Sequence, residues 1–138
     1  DIKELIAFLQ EKMISVYVVT ASIKWAVEPG AKRLGIPFEQ VLGVQTKIID
    51  GVVSDQQEGE ITYREGKPLA LLNLTNGVSP ILCAGNTTGD LQLLESSQGV
   101  RLAVGASGAG EDLLATEKEL AKIAIEKNWY YHRFRNPL

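Results

Sequence analysis

A Rossmann-like α/β fold, three layers of α/β/α around a mainly parallel sheet, follows from three features of the sequence. The apolar runs Val16 to Val19, Ile81 to Ala84 and Leu102 to Val104 show no polar alternation. Strands of that kind are covered on both faces, as parallel sheets require. Helical stretches separate these runs, and alternation of strand with helix is the mark of such a sheet. With 138 residues, 45% of them hydrophobic and 22% charged, the chain suits one compact domain over residues 1–138 with a core of its own.

Taken in order, Ile2, Leu5, Ile6, Leu9 and Met13 recur at helical spacing, with Lys3, Glu4, Glu11 and Lys12 on the other side. The chain therefore opens with an amphipathic helix. Further helices are expected over roughly 25–34, 67–75, 90–97 and 111–128. The last is continuous in Leu113, Leu114, Leu120, Ile123 and Ala124. One segment interrupts the alternation: Asp50-Gly51 stands between the β-branched runs Lys47-Ile48-Ile49 and Val52-Val53. Asp-Gly tolerates the positive φ angles of a two-residue hairpin turn, so a β-hairpin insertion is expected near residues 44–64. No repeat, low-complexity tract or linker divides the chain.

Composition excludes several classes of function. A net charge of -3 and a pI near 5.2 give no basic field for a nucleic-acid backbone, and His132, Arg133 and Arg135 are too few to create one. Cys83 is the single cysteine and His132 the single histidine, so neither an internal disulfide nor a Cys/His zinc site can be assembled. Cys83 reads as a small core residue. Residues 68–89 carry no formal charge, but Asn73, Asn76, Pro80, Gly85 and Asn86 interrupt the apolar run, against a membrane span. Asp1-Ile2-Lys3-Glu4 lacks the basic-then-apolar profile of a secretory signal, which in a fragment says nothing about the parent protein. The cytoplasm is the favoured location.

Ligands of parallel sheets collect beyond the carboxyl ends of the strands. Thr20-Ala21-Ser22 follows the first apolar run, offering a hydroxyl and small residues whose N–H groups can face an anion. Gly85-Asn86-Thr87-Thr88-Gly89-Asp90 follows the second as a tight turn. There Asp90 offers hard carboxylate oxygen to Mg²⁺ and Asn86 a neutral amide oxygen. Taken singly, Thr20 and Asp90 read as helix caps, and Lys67 as an exposed lysine near a helix start.

Together they carry more. Val18-Val19-Thr20-Ala21-Ser22, then Gly66-Lys67, then Gly85-Asn86-Thr87-Thr88-Gly89-Asp90-Leu91-Gln92-Leu93-Leu94 resemble, in order, the second, third and fourth motifs of haloacid dehalogenase-type phosphatases. Val27-Glu28-Pro29, Leu34-Gly35-Ile36, the Asp50-Gly51 hairpin and the Trp129 ending resemble the phosphoserine phosphatase-like branch. The resemblance implies a Mg²⁺-dependent phosphatase that hydrolyses a small phosphate monoester through an aspartyl-phosphate. It makes Thr20, Lys67 and Asp90 catalytic, with Thr20, Ala21, Ser22 and Lys67 binding the phosphoryl group and Trp25 near the leaving group. Asn86 and Asp90 would hold Mg²⁺. The implied partner is a small phosphorylated metabolite, with no nucleic acid and no membrane.

The family's first motif, Asp-x-Asp-x-Thr, with its nucleophilic aspartate, does not occur in this sequence. Asp1, at the start of a helix, is not that nucleophile. The expectation is a partial catalytic core, inactive alone, whose nucleophile and cap belong to a preceding N-terminal segment of the same protein. The alternative is a catalytically inactive binding or scaffold module of the same fold, with Trp25, Trp129, Tyr130 and Tyr131 as a partner surface. Two other readings fall on spacing. Gly105-Ala106-Ser107-Gly108-Ala109-Gly110 lacks the Gly-Lys-Ser/Thr ending of a P-loop, and the Glu111-Asp112 that follows would repel phosphate. It also lacks the second glycine of a serine-hydrolase elbow and is expected to be a flexible connection at the sheet edge. The phosphatase reading requires Thr20, Lys67 and Asp90 to converge on one anion.

Overall fold

The computed structural model describes residues 2–134; Asp1 and Arg135 lie outside the described residues. The chain divides into two compact units, the boundary falling between Leu71 and Leu72.

The first unit opens with α1 (Ile2–Glu11), followed by β1 (Val18–Ile23), α2 (Lys24–Arg33), a 3-10 turn at Phe38–Gln40, β2 (Val41–Ile49) and β3 (Val52–Glu58), and enters α3 (Gly66–Leu74). The three strands form one sheet in the order β1-β2-β3. Its core is Ile6, Ala31, Ile36 and Val41, with Val16, Val18, Val27 and Leu34 packed against it. The apolar stripe of α1 thus reaches this core through Ile6, as its helical periodicity requires.

Two features of the strands differ from the expected pattern. β1 begins at Val18, two residues later than the apolar run, and continues through Thr20, Ala21 and Ser22 to Ile23. Strand β2 begins at Val41, ahead of the hairpin, and its first half pairs parallel with β1. The Val41-Leu42-Gly43-Val44 run gives no strand signal in the sequence because Gly43 breaks its apolar pattern. The hairpin is as expected: Ile49 pairs with Val52 in antiparallel register, and Asp50 and Gly51 take φ of 52° and 77°. Positive φ at both turn residues matches the right-handed strand twist, which is why Asp-Gly suits the position.

The second unit contains β4 (Leu82–Gly85), a 3-10 turn at Thr88–Asp90, α4 (Leu91–Glu95), β5 (Val100–Gly105), α5 (Leu114–Glu126) and β6 (Tyr130–Arg133). Its sheet has the order β4-β5-β6, parallel throughout. Helix α4 packs on β4 and β5, and α5 on β5 and β6. Cys83, Leu93, Leu94, Ala103, Leu120 and Ala124 are buried. Because β5 is the central strand, the 105–110 connection leaves the middle of the sheet and not its edge.

Four helices end in one device. In α1, α2, α3 and α5 the residue two past the end carries φ of 59° (Met13), 72° (Gly35), 52° (Asn76) and 54° (Asn128). In each, the next amide reaches back five residues: Ile14 to Leu9, Ile36 to Ala31, Gly77 to Leu72 and Trp129 to Ala124. These are Schellman caps, in which a left-handed residue satisfies carbonyls the helix leaves unpaired. No helix among the described residues is long and apolar enough to cross a membrane.

Candidate functional site

The candidates fall in both units. Thr20, Ala21, Ser22, Trp25 and Lys67 belong to the first, Asn86 and Asp90 to the second.

In the first unit, the Thr20–Ser22 segment departs from regular pairing. Val19 pairs with Leu42 and Ile23 with Val44, so four steps along β1 match two along β2. The intervening residues form a bulge, a device that re-aims side chains beside functional sites. Thr20 is not a helix cap: the residue preceding α2 is Ile23, which makes no side-chain cap. Thr20 Oγ1 instead accepts the Ser22 N–H at 3.1 Å, which holds the bulge in shape and turns that amide toward the Thr20 hydroxyl. Ala21, Ser22 and Trp25 are exposed, Trp25 to 36%.

Gly43 makes the bulge possible. A Cβ there would lie 2.8 Å from the Lys24 Cα and 2.9 Å from the Ser22 carbonyl oxygen. From the other side, Thr62, 2% exposed, donates its hydroxyl hydrogen to the Thr20 carbonyl. The same segment then turns into α3, with Gly66 so close to the Ile61 carbonyl that a side chain has no room. Lys67 therefore enters α3 from a segment tethered to Thr20, and it is buried, 8% exposed. This corrects its reading in isolation as an exposed lysine. A buried lysine is rare and needs compensating partners.

In the second unit, β4 ends in Gly85 and the chain turns sharply through Asn86 to Asp90. Asp90 is 7% exposed, and its Oδ2 accepts the N–H of Asn86 at 3.0 Å and of Thr87 at 3.2 Å. Gly85 is required here, since a Cβ would stand 2.4 Å from the Asp90 Cβ. Asp90 thus closes the turn with its side chain. It makes no side-chain cap to α4; its carboxylate answers Thr87 in a capping box across the 3-10 turn.

A second carboxylate, which no motif in the sequence marks, lies beside this turn. Glu117, on the first turns of α5, is 3% exposed. Its Oε1 accepts from Ser107 Oγ at 2.9 Å and from Asn86 Nδ2 at 3.4 Å. Its Oε2 accepts the N–H groups of Ala106 at 3.1 Å and Ser107 at 3.0 Å. Burial pushes the Glu117 carboxyl up, but the hydrogen bonds from Ser107, Ala106 and Asn86 outweigh it and hold the group below the usual carboxylate range. Ser107 is buried, and Arg133 donates to its carbonyl at 2.6 Å. The expected flexible connection after β5 is therefore a pinned loop. The signal for Glu117 lies in helix periodicity: positions 113, 117, 120 and 124 share one helix face, and a carboxylate in that apolar stripe needs donors.

Asp90 and Asn86 offer only oxygen to a cation, the donor chemistry that suits Mg²⁺, which keeps several waters and needs few protein ligands. Among the described residues no three Asp, Glu, His or Cys side chains are grouped to hold a metal ion. Glu117 is committed to the four donors that surround it.

A family model for haloacid dehalogenase-like hydrolases matches residues 1–95. No curated protein sequence is similar enough to be matched with this chain. Among solved structures, the chain is similar to a protein of unknown function from Bordetella pertussis Tohama I, with TM-score 0.71 and 19% identity over 94% of this chain and 56% of that one. It is similar to a functionally unknown protein from Anaerococcus prevotii DSM 20548, with TM-score 0.74 and 25% identity over 94% of this chain and 36% of that one. A phosphoserine phosphohydrolase-like protein from Francisella tularensis matches with TM-score 0.59 and 18% identity over 95% of this chain and 56% of that one. The chain thus spans between about a third and just over half of these structures. The neighbours share the α/β fold, and the match over residues 1–95 establishes that this chain belongs to the haloacid dehalogenase-like hydrolase family.

Proposed function

We propose that the chain is the C-terminal part of a phosphatase core, one partial domain over residues 1–138, whose parent hydrolyses a small phosphate monoester with Mg²⁺. The observation that carries this reading is the turn after β4, where Gly85 leaves room for Asp90 to fold back on the Asn86 and Thr87 amides. That arrangement presents oxygen ligands at the carboxyl end of a parallel strand, where ligands of such sheets bind. Family membership and the likeness to a phosphoserine phosphohydrolase-like protein support the reaction class and the branch.

In this reading Thr20 and the Ala21 and Ser22 amides hold phosphoryl oxygens, and Lys67 supplies positive charge against the transferring group. Preorganised donors and cations of this kind stabilise charge as it redistributes in the transition state. Ser22 would exchange its bond to Thr20 for one to the phosphoryl group, and Trp25 would lie beside the leaving group. Asp90 and Asn86 would hold Mg²⁺, which when bound polarises a phosphoryl oxygen. Since no Asp-x-Asp-x-Thr occurs in these 138 residues, the nucleophilic aspartate and the cap that selects the substrate would come from a preceding segment of the same protein. These residues alone would then be inactive. A cytoplasmic location, and a life without nucleic-acid or membrane partners, belong to the same reading.

The test is hydrolysis of a generic aryl phosphate by the full-length protein with and without Mg²⁺. Turnover that requires Mg²⁺ and falls at least about a hundredfold in Lys67→Ala and Asp90→Ala supports the reading, a loss comparable to removing one transition-state donor. Metal-independent turnover untouched by either substitution overturns it. The alternative, an inactive binding module, is favoured instead if the preceding segment carries neither aspartate.

A further inference from the structure

The hydrogen-bond network behind the β4 turn ends in Glu117, and its geometry has a consequence for position 86. The Glu117 carboxylate is almost fully enclosed, and its four acceptor positions meet four donors: the Ser107 hydroxyl, the Ser107 and Ala106 amides and Asn86 Nδ2. An ionised carboxylate can only accept. The three donors from the 106–107 loop fix it in place. The fourth donor is the one whose orientation the others set.

An amide facing a fixed carboxylate must point its NH₂ toward it, which leaves Oδ1 as the other end of the same planar group. An aspartate at position 86 would instead set two acceptor-only carboxylates where donor and acceptor now stand 3.4 Å apart, with no hydrogen between them to bond.

We propose that Glu117 is a positioning residue for Asn86, orienting its Oδ1 as a metal ligand and dictating that position 86 be an amide and not a carboxylate. The inference rests on the Mg²⁺ reading above. It predicts an effect opposite to simple charge counting, by which an added carboxylate at position 86 should tighten a divalent-cation site. Groups that orient ligands from behind typically govern metal affinity by about 10- to 100-fold.

The experiment is a titration of the full-length protein with Mn²⁺, followed by electron paramagnetic resonance without substrate, for wild type, Glu117→Gln, Asn86→Asp, the Asn86→Asp/Glu117→Gln double variant and Asp90→Ala. The expected result is binding weakened about tenfold or more in Glu117→Gln and no tighter than wild type in Asn86→Asp. The double variant, in which the side-chain NH₂ introduced by Glu117→Gln can donate to the new carboxylate, recovers wild-type affinity or exceeds it. A role in folding alone would not produce that recovery. The inference is overturned if Glu117→Gln stays within about twofold of wild type, or if Asn86→Asp alone binds more tightly. Should Glu117→Gln fail to fold, Asn86→Asp still decides, because it keeps Glu117. If Asp90→Ala also leaves Mn²⁺ binding unchanged, the metal site itself is wrong and the inference falls with it; if Asp90→Ala abolishes binding, a failure at Glu117 is a failure of the inference alone.

Discussion

Gly85 and Asp90 are pressed together at the end of β4: a Cβ on Gly85 would lie 2.4 Å from the Asp90 Cβ and 2.9 Å from its Cγ. The missing side chain is what lets the aspartate fold back over the turn and collect the Asn86 and Thr87 amides. Gly85→Ala is therefore expected to displace the carboxylate and strand both N–H groups. The overpacking and the lost charge-assisted bonds together cost about 2 to 4 kcal/mol. Urea unfolding of wild type and variant measures it, and a loss below about 0.5 kcal/mol, the range of neutral surface changes, would show that the turn relaxes freely.

The Glu117 network gives stability a defined pH dependence. Its carboxyl sits below its ordinary value of 4.5 in the folded protein, so the unfolded chain takes up a proton first as pH falls. A lowered folded-state value means that the contribution is complete above about pH 4.5 and is lost as pH drops through the folded-state value. Glu117→Gln, which cannot accept at both positions, should cost about 2 to 3 kcal/mol near neutrality. The gap between wild type and variant should close as pH falls well below 4.5. Unfolding curves across this range check the sign: a gap that widens toward acid contradicts it.

Much of the fold is legible in the sequence because it depends on local rules. Apolar runs without alternation locate β4 and β5, Asp50-Gly51 locates the hairpin turn, and helical periodicity places α1 and α5. The motif order marks Thr20, Lys67 and the Asp90 turn, but not that Thr20 lies in a bulge of β1. What escapes depends on contacts distant in sequence. Gly43 disguises the start of β2, yet its lack of a side chain is what admits the Ser22–Lys24 backbone. Thr62 holds the Thr20 carbonyl across 42 residues, and nothing local distinguishes it from any loop threonine. Lys67 reads as exposed because lysine usually is, and no local pattern marks that it is buried.

Cys83 illustrates a residue whose chemistry burial suppresses. The thiol is 5% exposed, and burial pushes it up to about 11 from 9.0, the Ser96 hydrogen bond and the charge of Arg101 only partly opposing the rise. A rise of about 2 units, from 9.0 to about 11, cuts the thiolate fraction near pH 8 about a hundredfold, and the thiolate is the reactive form. Disulfide-exchange reagents should therefore modify Cys83 at least about two orders of magnitude more slowly than a free thiol in the folded protein. In denaturant the rate should match the free thiol. Rapid modification under native conditions would mean that the second unit opens locally around β4.

Met13 occupies the left-handed position of the α1 cap, where α2 has Gly35 and α3 and α5 have asparagine. Its φ is 59°, and its side chain is 93% exposed, so it packs against nothing that would repay the strain. A side chain at such φ crowds the following carbonyl at a cost of about 1 kcal/mol or more. Glycine removes that crowding but adds freedom to the unfolded chain, which takes back part of the gain. The capping bonds from Met13 to Gln10 and from Ile14 to Leu9 use only backbone and survive the change. Met13→Gly should therefore stabilise the protein by about 0.5 to 1 kcal/mol, and Met13→Asn by a smaller amount. By contrast Met13→Val, β-branched and least tolerant of positive φ, should destabilise it. Thermal unfolding of the three variants orders them, and a ranking with valine above glycine would show that the α1 terminus does not hold this cap in solution.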